Sequence, residues 1–132
     1  MAIANGSGGY QFTSGNLSEV VLGSAAAPQT ATDTATLTAA QISGGMLVVT
    51  PTANATYTTP AATAIDTAIP NARAGHTFDM ALVNTAAFTT NFTMGSGVTN
   101  GGGSTTANAA STSASYRFRK VADGNWYMYK IA

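Results

Sequence analysis

His76 is the only histidine and the chain has no cysteine, so any imidazole-based metal site or general-base mechanism must run through one side chain. Asp79 follows three residues later. On an extended strand that offset puts the two on opposite faces, and no second histidine or thiolate completes a ligand set. His76 therefore reads as a polar residue of the Gly75-His76 turn entering a strand. The carboxylates Glu19, Asp33, Asp66, Asp79 and Asp123 are spread over different segments, which suits capping and turn roles better than a paired general acid and base. There is no Gly-x-Ser-x-Gly elbow, and Gly101-Gly102-Gly103-Ser104 lacks the lysine of a phosphate-cradling loop. These residues argue against an enzyme and call for no metal and no cofactor.

Two further groups could bind without catalysis. Arg117 and Arg119 fall on one strand face, with Tyr116, Phe118 and Lys120 on the other. Such alternation can grip single-stranded nucleic acid, but arginines of this kind more often pair with carboxylates or sit solvated on a sheet edge. Arg117 and Arg119 are accordingly candidates for inter-subunit ion pairs. Trp126, Tyr127 and Tyr129 either form a sugar-stacking platform or, more simply, close the core.

The elements that must position these residues are mainly strands. Thr, Val, Tyr and Phe alternate with small residues over 34–38, 46–50, 56–58, 77–84, 88–94, 104–109, 113–121 and 126–131. Phe78, Met80 and Leu82 recur at period two, and Phe88, Phe92 and Met94 share the face of the next run. The predicted core is Phe78, Met80, Leu82, Phe92, Phe118 and Trp126, joined by Phe88 and Met94. Asp123-Gly124 tolerates the positive φ of a tight reversal and predicts a C-terminal hairpin. One short helix is expected over 61–69, with Thr59 as cap and Pro60 in its first position, and a single turn over 39–43. Residues 95–115 read as a long exposed loop holding one weak strand. The expected fold is all-β, an antiparallel β-sandwich or barrel-like domain with one short helix and an extended N-terminal arm.

That arm covers residues 1–33 and the β domain covers 34–132. Tyr10, Phe12, Leu17, Val20, Val21 and Leu22 are too apolar for a plain linker and are expected to dock on another surface, such as that of a second subunit. An equally weighted alternative makes 17–22 an edge strand of the chain's own sheet. Fully extended, 33 residues at roughly 3.3 Å each span about 100 Å, far enough to reach another subunit.

Composition sharpens the expectation. Charged residues make up 8% of the chain, against about 25% in an ordinary soluble domain, while 45% is hydrophobic. Charges are costly to desolvate, so an exterior without them is readily covered by neighbours. The net charge of zero supplies no field for nucleic acid or an anionic membrane. The N-terminus carries no secretory signal pattern, and no apolar run is long enough to span a bilayer.

The phrases Gly15-Asn16-Leu17-Ser18-Glu19-Val20, Ala35-Thr36-Leu37-Thr38-Ala39-Ala40-Gln41-Ile42, Pro51-Thr52-Ala53-Asn54-Ala55-Thr56-Tyr57-Thr58-Thr59-Pro60, Ile69-Pro70-Asn71-Ala72-Arg73-Ala74-Gly75 and Tyr116-Arg117-Phe118-Arg119-Lys120, with the terminal Tyr129-Lys130-Ile131, resemble small head decoration, or cement, proteins of tailed bacteriophages. The resemblance runs over nearly the whole chain. It implies a β-rich, non-enzymatic virion protein, assembled in the host cytoplasm, that binds the major capsid protein on the outer surface of the head, commonly as a homotrimer. It transfers no catalytic residue. A receptor- or glycan-binding knob, using residues 95–115 and the C-terminal aromatics, is the alternative.

Overall fold

The computed structural model describes residues 23–102 and 107–132, together with the backbone of two short paired segments, β1 (Ile3–Ala4) and β2 (Tyr10–Gln11). These two pair antiparallel with each other and join neither of the other sheets.

From Gln29 onward the chain winds. The first turn gives β3 (Gln29–Ala31), β4 (Ala35–Thr36) and helix α1 (Ala39–Ser43). The second gives β5 (Met46–Val49), β6 (Ala55–Thr58) and helix α2 (Ala62–Ala68). The third gives β7 (Thr77–Asn84), β8 (Thr90–Thr93) and β9 (Val98–Gly102). β3, β5 and β7 lie parallel in one sheet, and β4, β6 and β8 lie parallel in another, so each turn supplies one strand to each. The remaining strands, β10 (Ser113–Ala122) and β11 (Asn125–Lys130), complete a six-stranded sheet of order β3-β5-β7-β10-β11-β9. Only β7-β10-β11 is antiparallel there; β9 runs parallel to β11 at the far edge.

The fold is thus strand-rich with two short helices among the described residues, but the expected antiparallel arrangement is corrected to one mixed six-stranded sheet and one parallel three-stranded sheet. Antiparallel neighbours are joined by hairpins, whereas here most connections leave for the other sheet and return one turn later, which forces parallel pairing. The sheet also begins inside the segment read as arm: β3 pairs with β5, and Asp33 accepts hydrogen bonds from the Thr52 amide at 2.9 Å and hydroxyl at 2.8 Å. In the expected loop 95–115 the strand lies at Val98–Gly102 and β10 starts at Ser113. Of the expected strand 104–109, the described part holds only a bridge between Asn108 and Thr90.

Local chemistry explains both helices. Thr38 and Gln41 form a reciprocal capping box at α1: the Gln41 amide donates to Thr38 Oγ1 at 3.2 Å, and the Thr38 amide donates to Gln41 Oε1 at 2.8 Å. α2 starts one residue later than expected, and with Ala61 in place of Thr59 at its N-cap it has no side-chain cap, while the Thr59 hydroxyl is used elsewhere. It accepts the Gly95 amide at 2.8 Å, tying the second turn of the winding to the third. Gly124, at φ 71°, makes the reversal between β10 and β11.

Both sheets and both helices feed one core. Met80, Leu82, Phe118 and Trp126 from the larger sheet meet Phe92 and Tyr57 from the smaller one and Ile42 and Ile65 from the helices. Phe92 packs edge-on against Tyr116 at 4.9 Å between centroids. Phe78 is only partly buried, stacked on Phe118 at 5.0 Å, and Met94 also packs at the core margin. Phe88, expected inside, is 39% exposed, because β8 begins at Thr90 and leaves it in a bend. Each fully buried large side chain contributes about 2–3 kcal/mol through removal of its surface from water. No helix among the described residues is long and apolar enough to cross a membrane.

Candidate functional site

The C-terminal hairpin is anchored by a polar cluster around one buried lysine. β10 alternates strictly, putting Ala114, Tyr116, Phe118 and Lys120 on the core face. A lysine in that phase must find partners. Its Nζ lies 3.0 Å from Asp66 on α2 and 2.9 Å from Asp123 in the turn, and it donates to the Ala72 carbonyl at 3.1 Å. Asp66 also accepts the Gly124 amide at 2.6 Å and the Trp126 indole N–H at 2.8 Å. Burial pushes the Asp66 carboxyl upward, but the hydrogen bonds from Gly124, Trp126 and Lys120 outweigh it and hold it below the usual carboxylate range. Hydrogen bonds to Asp123 and then Asp66 raise the Lys120 ammonium above its ordinary value. Every donor here is satisfied and the ammonium is held protonated, so the cluster suits fastening rather than proton transfer or nucleophilic attack.

Beside it opens a cleft of about 560 Å³ lined by Ile69, Asn71, Ala72, His76, Phe78 and Trp126, among others. Its titratable lining is one imidazole, and His76 Nδ1 already accepts the Arg73 amide at 3.1 Å. Among the described residues no group of three or more His, Cys, Asp or Glu could hold a metal ion. His76 occupies the turn before β7.

The opposite face of the larger sheet carries Arg117, Arg119, Tyr127 and Tyr129. Arg117 meets Asp79 of its own chain, its direct neighbour across β7–β10, with Nε donating to Oδ1 at 2.8 Å and Nη2 to Oδ2 at 3.0 Å. Those hydrogen bonds hold the Asp79 carboxyl below the ordinary range. In place of the expected inter-subunit partner of Arg117, the chain itself supplies Asp79; Arg119 is exposed and has no ion-pair partner among the described residues. Trp126 faces inward, so a sugar platform including it is ruled out, whereas Tyr127 and Tyr129 face outward and are half-buried. Of the proposed docking residues, Tyr10 has only its backbone described, in β2, and Phe12, Leu17, Val20, Val21 and Leu22 lie outside the described residues.

The charges are thereby largely consumed within the chain. Asp33 bonds Thr52, Asp66 and Asp123 bond Lys120, Asp79 bonds Arg117, and Lys130 donates to the Ala107 carbonyl at 2.8 Å. Among the described charged side chains only Arg73 and Arg119 are left without such a partner.

Searches against protein-family models, curated proteins and solved structures found no match to this chain.

Proposed function

We propose that this protein is a structural, non-enzymatic decoration protein that binds the outer surface of a phage head and bridges neighbouring capsomers, acting as a homotrimer. The observation that carries the proposal is the scarcity of charge together with the pairing of Arg117 with Asp79 and of Lys120 with Asp66 and Asp123, which leaves an exterior that a partner can cover with little desolvation cost. In this reading the two sheets and their shared core form a compact, sandwich-like body, and residues 1–28 reach from it to adjacent subunits or to the major capsid protein. Weak individual contacts suffice, because seating one subunit of a trimer presents the others at high effective concentration.

The test is electron cryomicroscopy of purified virions together with sedimentation of the purified protein. The proposal expects density for this chain on the outside of the capsid and a mass of three 13.2 kDa chains. Deleting residues 2–22 is expected to leave a folded protein that no longer saturates capsids. Absence of the chain from particles, or unchanged capsid affinity after the deletion, refutes the capsid role or the arm respectively.

A further inference from the structure

Tyr127 and Tyr129 are adjacent outward positions of β11, with ring centroids 6.2 Å apart and planes inclined by 34°. Cross-strand pairing sets Arg119 beside Tyr127 and Arg117 beside Tyr129. On the other flank, β9 places Thr99 opposite Tyr127 and Gly102 opposite Tyr129, and a register shift inserts Gly101 between them. A Cβ at Gly101 would stand 2.6 Å from Tyr127 Cδ2 and 2.8 Å from Tyr129 Cε1, and one at Gly102 would stand 2.9 Å from Tyr129 Cδ1. Both rings therefore lie down over the glycines of β9, in space that any side chain there would fill. The bulge makes a shallow aromatic floor out of two residues that would otherwise project as separate posts.

The rim of this floor is polar and close to neutral. The Arg117–Asp79 pair cancels its own charge, yet the guanidinium keeps unused N–H donors and the carboxylate keeps unused lone pairs. Thr77 and Thr99 add exposed hydroxyls, and Arg119 is the single uncompensated cation. A single-stranded nucleic acid needs a continuous positive groove as well as stacking faces, and one free arginine does not provide it. The chemistry that fits is a ligand with apolar C–H faces to lie on the rings and hydroxyls around its edge to exchange hydrogen bonds with paired donors and acceptors.

We propose that the Tyr127–Tyr129 floor, with the Arg117–Asp79 pair and Arg119 at its rim, binds an oligosaccharide. Two sugar rings stack on the tyrosines, and their hydroxyls bond the ion pair. The site does not depend on the capsid reading: a decoration protein and a free binding protein would carry it equally.

The experiment uses the full chain on a printed array of neutral and acidic oligosaccharides, followed by calorimetric titration with the strongest hit, and with oligothymidylate as the nucleic-acid probe. The expected result is binding of at least one saccharide, weakened tenfold or more by Tyr127→Ala or Tyr129→Ala and by Asp79→Asn. Tyr129→Phe, which keeps the stacking face, is expected to hold within threefold, and Arg73→Ala is expected to change nothing. Thermal unfolding of each variant confirms that the fold survives. An array with no saccharide bound, binding indifferent to both tyrosine truncations, or tighter binding of oligothymidylate than of any saccharide overturns the proposal.

Discussion

Asp66→Ala is expected to loosen the whole C-terminal end of the molecule. The carboxylate is the acceptor for the Gly124 amide at 2.6 Å and the Trp126 indole at 2.8 Å, and Trp126 is 1% exposed. Truncation strands that buried N–H, at about 1–3 kcal/mol, and removes the turn's backbone bond, at about 1 kcal/mol. The expected loss is therefore about 2–4 kcal/mol. For a chain of this length, at about 2.1 cal/mol/K of unfolding entropy per residue, that lowers Tm by about 7–14 °C. Urea unfolding of wild type, Asp66→Ala, Trp126→Phe and the double variant measures it directly. Once the indole is gone, Asp66→Ala should cost about 1–3 kcal/mol less than in the wild-type background, since the stranded donor no longer exists. A loss below 0.5 kcal/mol on the scale of ordinary surface changes, or strict additivity across the cycle, would show that the cluster does not fasten the hairpin.

Other expectations concern pH and a lone hydroxyl. Tyr116, buried and donating to Asn108 Oδ1 at 2.9 Å, is pushed up to about 12 by burial, so its contribution to stability is present below pH 10 and lost as pH rises toward 12. Tyrosinate absorbance should reveal a late-titrating component, to which the buried Tyr57 also contributes because burial raises it, and which shrinks in Tyr116→Phe; a native chain whose tyrosines all ionise near pH 10 refutes this. Asp66 works in the opposite sense: its depressed value stabilises the fold above the ordinary carboxylate range and ceases to do so as pH falls through that value, so the acid limb of a stability–pH curve should flatten in Asp66→Ala. Thr90 is fully buried with no partner for its Oγ1, and Thr90→Val should raise stability by about 1 kcal/mol, or Tm by about 4 °C. A fall in Tm would mean that the hydroxyl is satisfied in solution.

Where side chains alternate over a long run, the sequence was a sufficient guide. β7, β10 and β11 stand out because Met80 and Leu82, Tyr116 and Phe118, and Trp126 and Met128 recur at period two. β3 and β9 do not, since Gln-Thr-Ala and Val-Thr-Asn-Gly-Gly offer no apolar face of their own, and their strand character comes from the neighbours they pair with. The winding leaves no period to detect, because its first turn spans residues 29–45 and its second spans 46–76. Lys120 was legible as a core-facing cation from its phase with Phe118, but its partner Asp66 sits in a different element and only folding joins them. The same holds for Arg117 and Asp79, whose pairing depends on the β7–β10 register. Alternation alone separates Trp126, inside, from Tyr127 and Tyr129, outside; treating the three as one aromatic group obscured the platform.

β10 follows every strand of the winding in the chain and yet lies in the middle of the larger sheet, between β7 and β11, while β9 waits for β11 before it has any neighbour there. During synthesis all three turns of the winding therefore emerge before the strand that joins β7 to β11 exists. The strands β3-β5-β7 and β4-β6-β8 can pair as they emerge, but β9 and the free edge of β7 wait for the β10–β11 hairpin, so a chain truncated before Ser113 would expose strand edges that chaperones or proteases have to clear.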